Sequence, residues 1–132
     1  MAGRFHIRTD ARSYLKNVID RVDSQSPLFE VFYLCALAGL ASGRTADAVS
    51  ANTSELVENF PSEYANRGRL IVGLFLTREI KRRGIQLHEK EPLHRAIREF
   101  VDPRTPSQLS DAGVLQLNRY GYGGFDQLLE WF

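Results

Sequence analysis

The most apolar stretch of the chain runs from residue 27 to residue 43, PLFEVFYLCALAGLASG, and Glu30 is its only charged residue. In a helix of this sequence, apolar side chains lie on every side, which is typical of a helix buried among others. The stretch is shorter than the roughly 20 apolar residues that cross a bilayer. It therefore predicts a core helix, with Ser26 as its N-cap, Pro27 at its first position and Gly43 as its end.

The segment before this core helix has two weaker patterns. Phe5 and Ile7 alternate with polar residues, which predicts an extended arm or one short strand at the N-terminus. Asp10 then caps a predicted helix that extends to about Val22. Its apolar stripe, with spacings of three and four residues, consists of Tyr14, Leu15, Val18, Ile19 and Val22.

The middle of the chain predicts one short and one long helix. A small, polar loop follows the core helix, and Thr53 or Ser54 then caps a short helical turn that ends at Pro61. A long helix over residues 62–83 comes next, and Gly84 closes it. The side chains of this helix that are predicted to face the core are Tyr64, Leu70, Ile71, Leu74, Phe75 and Ile80.

Prolines and glycines divide the last third of the chain. A helix from residue 92 to about 101 carries Leu93, Ile97, Phe100 and Val101 on its inward side, and the prolines at 103 and 106 terminate it. The remainder predicts two short helices, 107–117 and 124–132, joined by a turn rich in Gly and Tyr.

Size and composition agree with one helical domain. The chain has 132 residues and a formal net charge of +1, so no overall charge attracts nucleic acid or anionic lipid. The single cysteine, Cys35, lies in the apolar helix, as expected of a buried thiol in a reducing cytoplasm. The N-terminus lacks the apolar region of a secretory signal. We therefore expect a cytoplasmic all-α protein with no membrane contact, a single compact bundle of four to six helices over residues 1–132 with a short extended N-terminal arm.

Charge is distributed unevenly in the middle of the chain. Residues 67–83 contain six bases and one acid, Glu79, whereas residues 45–66 contain four acids and no base. Bases in the last turn of a helix complement its dipole, and the two segments can pair with each other. Alternatively, bases spaced three and four apart contact phosphates. The candidate nucleic-acid-binding residues are Arg67, Arg69, Arg78, Lys81, Arg82 and Arg83.

Catalytic and metal-binding patterns are not found. His88 and His94 have two glutamates between them, but their spacing is neither the i, i+4 pair of a zinc helix nor that of a zinc finger. The sequence contains no nucleophile elbow, P-loop or dinucleotide fingerprint. We therefore predict a protein that is not an enzyme and that has no metal site and no cofactor.

The C-terminus is rich in aromatic residues of the types that anchor protein interfaces. Either this end packs on the protein's own bundle, or it is buried against a partner or a second copy of the chain. A third hypothesis is that Tyr120 and Tyr122 stack on unpaired nucleic-acid bases. The candidate protein-interface residues are Tyr120, Tyr122, Phe125, Leu129, Trp131 and Phe132.

Three segments, FEVFYLCALAGLASGR, FPSEYANRGRLIVGLFL and LSDAGVLQLNRYGYGGFDQLLEWF, resemble small helical proteins encoded beside bacterial DNA-phosphorothioation (Dnd-type) phage-defence systems. The resemblance covers about residues 27–132 and consists of apolar spacing with Gly and Asn punctuation. It implies a bacterial cytosolic accessory protein of a DNA-modification or restriction complex, and it transfers no catalytic residue and no DNA-binding activity.

These observations predict a non-enzymatic adaptor of a bacterial multi-protein assembly, with protein partners or a second copy bound through the aromatic C-terminus. The alternative is a DNA-binding module that uses the basic helix face. Binding through that face would weaken steeply with salt.

Overall fold

Helices dominate the fold. The structure, a computed structural model, describes residues 4–14, 27–47, 53–56 and 65–131. Five helices and two short strands lie within these ranges, so the predicted all-α class is confirmed. In chain order the elements are β1 (His6–Arg8), α1 (Thr9–Tyr14), α2 (Pro27–Ser42), β2 (Thr53–Glu55), α3 (Ala65–Arg82), α4 (Lys90–Phe100) and α5 (Asp111–Trp131).

The N-terminal arm forms a short strand that pairs with a second strand. β1 pairs antiparallel with β2, with His6 opposite Glu55 and Arg8 opposite Thr53. Phe5 and Ile7 are buried, as their alternation predicted. The predicted helical turn is wrong over residues 53–55, because the backbone of these residues bonds to the extended arm instead. Leu56 is not helical either, since its N–H donates to the carbonyl of Phe5 at 2.8 Å, and residues 57–60 lie outside the described residues.

A buried asparagine on α5 fixes the arm in place. The backbone N–H of His6 donates to Asn118 Oδ1 at 3.0 Å, and Asn118 Nδ2 donates to the carbonyl of Arg4 at 3.0 Å. The Arg8 guanidinium donates to Asp126 on α5 at 2.7 Å. α1 then begins at Thr9, one residue before the predicted cap, and its predicted continuation over residues 15–22 lies outside the described residues.

α2 is the predicted core helix. Phe29, Phe32 and Leu40 are almost fully buried, and the ring centroids of Phe5 and Phe32 are 4.9 Å apart. The helix ends where Gly43 adopts a φ of 75°. Because the N–H of Arg44 bonds back to the carbonyl of residue 39 at 3.0 Å, the last turn is closed as the sequence predicted. The predicted N-cap, residue 26, is outside the described residues.

α5 is one continuous helix, which corrects the prediction of two short helices and a Gly/Tyr turn. Gly121 and Gly124 of that supposed turn face α2, and Gly123 packs against residues 44 and 45, just after α2. A Cβ on Gly124 would lie 2.7 Å from the carbonyl carbon of Cys35 and 2.7 Å from the nitrogen of Gly39. Glycine is therefore required because the two helix backbones touch, and close packing outweighs its low helix propensity.

In the described residues α3 spans Ala65–Arg82, and the predicted start over residues 62–64 lies outside them. Ile71 and Phe75 are buried as expected, whereas Leu70 is 56% exposed and Leu74 is 40% exposed. Residues four apart share one face of a helix, so positions 71, 75 and 79 form the buried row. Positions 70 and 74 form the adjoining row, which is exposed. Ile80 is half-buried, and residue 64 lies outside the described residues.

The turn after α3 confirms the predicted glycine stop. Gly84 has a φ of 69°, and its N–H donates to the carbonyl of Lys81 at 3.1 Å. The N–H of Ile85 donates to the carbonyl of Ile80, also at 3.1 Å. These two bonds form a Schellman motif, which lets the chain reverse toward α4.

α4 starts two residues before the predicted position and ends at Phe100, where Val101 becomes extended and bridges to Leu109. Phe100 packs on Phe75 of α3, with ring centroids 5.2 Å apart. Phe75 in turn lies 6.1 Å from the ring of Tyr120 on α5. These aromatic contacts join the last three helices. In the described ranges, no helix has both the length and the apolar character needed to cross a membrane.

Candidate functional site

The six predicted nucleic-acid-binding residues do not form one common surface. Arg78 is directed at the end of α2, where its Nε donates to the carbonyl of Leu40 at 2.8 Å and its Nη2 donates to the carbonyl of Ala41 at 2.9 Å. These carbonyls belong to the last turn of α2, which has no intrahelical partners for them. Arg78 therefore acts as a C-terminal cap supplied by a neighbouring helix.

Arg82 and Arg83 are also engaged within the protein. Arg82 donates to Glu79 at 2.7 Å. Arg83 donates to Glu99 on α4 at 2.7 Å, and its guanidinium lies 4.7 Å from the centroid of the Phe100 ring. Arg83 thus connects the end of α3 to α4, whereas Arg82 forms an ion pair within α3. Both guanidinium groups are paired with carboxylates of the protein.

The other three bases are exposed. Arg67 lies over the ring of Tyr33 on α2, 5.9 Å from its centroid. Lys81 is close to the end of α3, and Arg69 is on a different side of the helix, since twelve residues correspond to a rotation of about 120°. A phosphate backbone could not contact all six bases from one side.

The most deeply buried charge among the described residues is Glu79, which is 0% exposed. Three side chains donate to its carboxylate: Arg82, the Tyr120 hydroxyl at 2.7 Å and Gln116 Nε2 at 3.0 Å. The last two come from α5, so the network joins α3 to α5. A buried charge is tolerated only when paired and hydrogen-bonded in this way.

These contacts shift two acid–base equilibria. Burial alone would raise the pKa of Glu79, but the hydrogen bonds from Arg82, Tyr120 and Gln116 outweigh it and hold the pKa below the ordinary value. Burial, and then the hydrogen bond to the Glu79 carboxylate, raises the pKa of the Tyr120 phenol. At neutral pH the Glu79 carboxylate is therefore ionised and the Tyr120 phenol is neutral. In this state the phenol donates its hydrogen bond to the carboxylate and connects α5 to α3.

The aromatic C-terminus packs mainly on the protein's own core. Tyr120, Tyr122 and Phe125 are 0%, 8% and 3% exposed, so their assignment to a partner interface is corrected. They are buried because the glycines of α5 bring this helix directly against α2. Leu129 and Trp131 remain exposed at 42% and 53%. Phe132 lies outside the described residues.

A groove of about 390 Å³ separates α2 from α3. It exists because α2 packs far more extensively on α5 than on α3, so the other pair of helices leaves a gap. We call it the α2–α3 groove. Its lining residues are Leu37, Leu40 and Ala41 of α2 and Leu74, Thr77, Arg78 and Lys81 of α3.

Two further leucines, Leu34 and Leu70, lie at helical spacing from the apolar residues that line this groove. On α3, Leu70 and Leu74 are four residues apart; on α2, Leu34 lies three residues before Leu37. Leu34 and Leu74 are each 40% exposed. The Thr77 hydroxyl donates to the carbonyl of residue 73 at 2.8 Å, so its donor is already used within α3. The groove therefore offers an apolar floor with two cations at one end.

Other chemically active side chains do not converge in the described part of the chain. No group of three or more His, Cys, Asp or Glu side chains there could hold a metal ion. Burial raises the pKa of the Cys35 thiol to about 12, so this cysteine is a poor nucleophile at neutral pH. His88 and His94 are exposed.

Neither the burial of Glu79 nor the α2–α3 groove was predicted from the sequence. The groove had a signal: α3 carries more apolar positions than one inward stripe can hold, since Leu70 and Leu74 sit beside Ile71 and Phe75. An apolar surface wider than the stripe needed for the core indicates a second contact face.

No protein-family model matches the chain, and no significant similarity connects it to a curated protein or to a solved structure. The functional assignment therefore depends on the geometry of the fold.

Proposed function

We propose that this chain is a non-catalytic protein-binding subunit of a multi-protein assembly and that the α2–α3 groove contacts its partner. The observation that carries the proposal is an open groove with Leu37, Leu40 and Leu74 in its lining. The exposed leucines Leu34 and Leu70 extend its two apolar rows at helical spacing. Apolar side chains gathered at one exposed concave surface are typical of interaction sites, whereas scattered ones are ordinary.

The arrangement of the polar groups supports binding in preference to catalysis. The Glu79 carboxylate already accepts bonds from three side chains, and it is enclosed between α3 and α5. The thiol of Cys35 is buried in α2. A catalytic group needs access to a substrate, and these groups are instead positioned to stabilise helix packing.

The same arrangement favours a protein partner over DNA. Arg78, Arg82 and Arg83 each direct their guanidinium groups at acceptors within the protein. The carboxylates of Glu79 and Glu99 already neutralise Arg82 and Arg83, so a phosphate would have to displace them. The resemblance to proteins encoded beside Dnd-type systems suggests, as part of this proposal, an assembly that modifies or restricts DNA, in which other subunits contact the DNA.

The test is affinity purification of the tagged protein from its native cells, comparing the wild type with Leu74→Asp. We expect a stoichiometric protein partner with the wild type and at least about a tenfold loss with Leu74→Asp, because an aspartate in the apolar floor of an interface is costly. Leu87→Asp is the matched control, since Leu87 is 79% exposed and lies outside the groove. Circular dichroism verifies that both variants fold.

Two results would overturn the proposal. One is the absence of any stoichiometric partner, and the other is equal recovery with Leu74→Asp and Leu87→Asp. Loss on Trp131→Ala alone would move the interface to the exposed end of α5. Mobility shifts of duplex, nicked and single-stranded DNA at low and physiological salt measure the DNA-binding alternative on the same samples.

A further inference from the structure

We infer that the α2–α3 groove accommodates an amphipathic helix of the partner protein and that this helix carries acidic side chains beside its apolar stripe. The inference rests on the proposed function and adds the chemistry of the partner. It combines two observations, the helical spacing of the groove's apolar residues and the single sign of the charges that line it.

The shape of the groove suits a helix. Its two walls are themselves helices, and their apolar residues recur at i, i+4 on α3 (Leu70 and Leu74) and at i, i+3 on α2 (Leu34 and the half-buried Leu37). A third helix places its own ridge of side chains between two such rows. From Leu70 to Lys81, α3 rises about 16 Å, which is the length of roughly three helical turns.

The charge of the groove selects an acidic partner. Arg78 and Lys81 line it, and no Asp or Glu is among the described residues of its lining. Bonds to the carbonyls of Leu40 and Ala41 hold the Arg78 guanidinium in one position, and Lys81 is exposed. Carbonyls do not neutralise the charge of Arg78, so a partner helix with Glu or Asp at the matching end is attracted by both cations while the Arg78 bonds stay in place. A partner helix with Lys or Arg there is repelled.

The same features disfavour the other occupants. A symmetric dimer formed through this groove would pair the surface with itself, and the described lining residues supply no Asp or Glu to meet Arg78 and Lys81 of the other copy. Single-stranded nucleic acid needs aromatic side chains for stacking, and the described lining residues are aliphatic, Thr, Arg and Lys.

A displayed library of helical peptides tests the inference without knowledge of the natural partner. The peptides carry leucines at fixed helical spacing, and Glu, Lys or Ser occurs in equal proportion at the flanking positions. Selection on the full-length wild type should enrich Glu over Lys by roughly threefold or more. A Glu forms one or two exposed ion pairs with the groove's cations, whereas a Lys is repelled by them. Leu74→Asp should abolish the enrichment, because the apolar floor is then lost.

Charge reversal on α3 supplies the matched pair of variants. Lys81→Glu should remove or invert the preference for Glu, whereas Arg69→Glu, on a different side of α3, should leave it unchanged. Binding through general electrostatic attraction would respond to both reversals alike. The inference is overturned if Lys or Ser is enriched, if the preference survives Lys81→Glu, or if light scattering shows a dimer that Leu74→Asp dissociates.

The two proposals fail in different ways. If a native partner is lost on Leu74→Asp but the library shows no preference for Glu, the groove is an interface and only its partner chemistry is wrong. If the library selects acidic helices that Leu74→Asp rejects but no native partner is recovered, the groove recognises acidic helices and the proposed role in an assembly is wrong.

Discussion

Replacing Gly124 by alanine should force α2 and α5 apart. The added Cβ would lie 2.7 Å from the carbonyl carbon of Cys35 and from the nitrogen of Gly39, and closer still to the Cys35 carbonyl oxygen, whereas ordinary van der Waals contact begins at 3.4 Å. All three obstacles are backbone atoms of one helix. No side-chain rotamer can remove them, so the backbones themselves have to separate.

The size of the effect follows from two opposing terms. Inserting one carbon into a packed core costs about 1–3 kcal/mol, and the upper end applies here because the obstacles are backbone atoms. Replacing a helical glycine by alanine stabilises the helix by about 1 kcal/mol, because alanine has the higher helix propensity. The net loss for Gly124→Ala is therefore about 2 kcal/mol, a large part of the roughly 5–15 kcal/mol by which a domain is stable. The midpoint of thermal unfolding should fall by about 8 °C.

Urea unfolding followed by far-ultraviolet circular dichroism measures this difference, and Gly73→Ala is the control. Gly73 is a helical glycine on exposed α3 surface with nothing within 4 Å of an added Cβ. The same substitution should there increase stability by up to about 1 kcal/mol. Opposite signs at the two positions would confirm the close helix contact. The reasoning would be refuted if Gly124→Ala were as stable as the wild type or more so.

Two further predictions concern the polar contacts of α3. The pKa of Glu79 is lowered in the folded protein, so its charge contributes stability above the unfolded-state pKa of about 4.3, and this contribution is lost as pH falls through the folded pKa. Glu79→Gln should cost about 2 kcal/mol at pH 7 and progressively less in acid, as measured by urea unfolding over a pH series; a constant difference would contradict the network. Arg78→Ala should cost about 1 kcal/mol because it uncaps α2, whereas Lys81→Ala should stay within about 0.5 kcal/mol; equal losses would exclude the capping role.

Much of the helical architecture was predictable because it depends on local signals. Gly43 and Gly84 both end helices at positive φ, where a side chain is strained, so position in the sequence is enough to identify them. The glycines of α5 give the opposite lesson. Gly124 looks like a turn residue along the chain, and its role becomes visible only when α2 is placed against it. A contact between residues almost 90 positions apart leaves no local trace.

The groove and the buried carboxylate were missed for a related reason. A helix surface can be read from spacing, but which of two adjoining apolar stripes faces the core depends on where the neighbouring helices lie. On α3 the stripe of Ile71 and Phe75 was drawn inward together with Glu79, since Tyr120 and Gln116 on α5 supply hydrogen bonds to that carboxylate. The stripe of Leu70 and Leu74 was thereby turned toward the gap beside α2. Because the hydrogen bonds to Glu79 orient α3 with this carboxylate inward, Leu70 and Leu74 remain exposed, and Leu74 lines the groove.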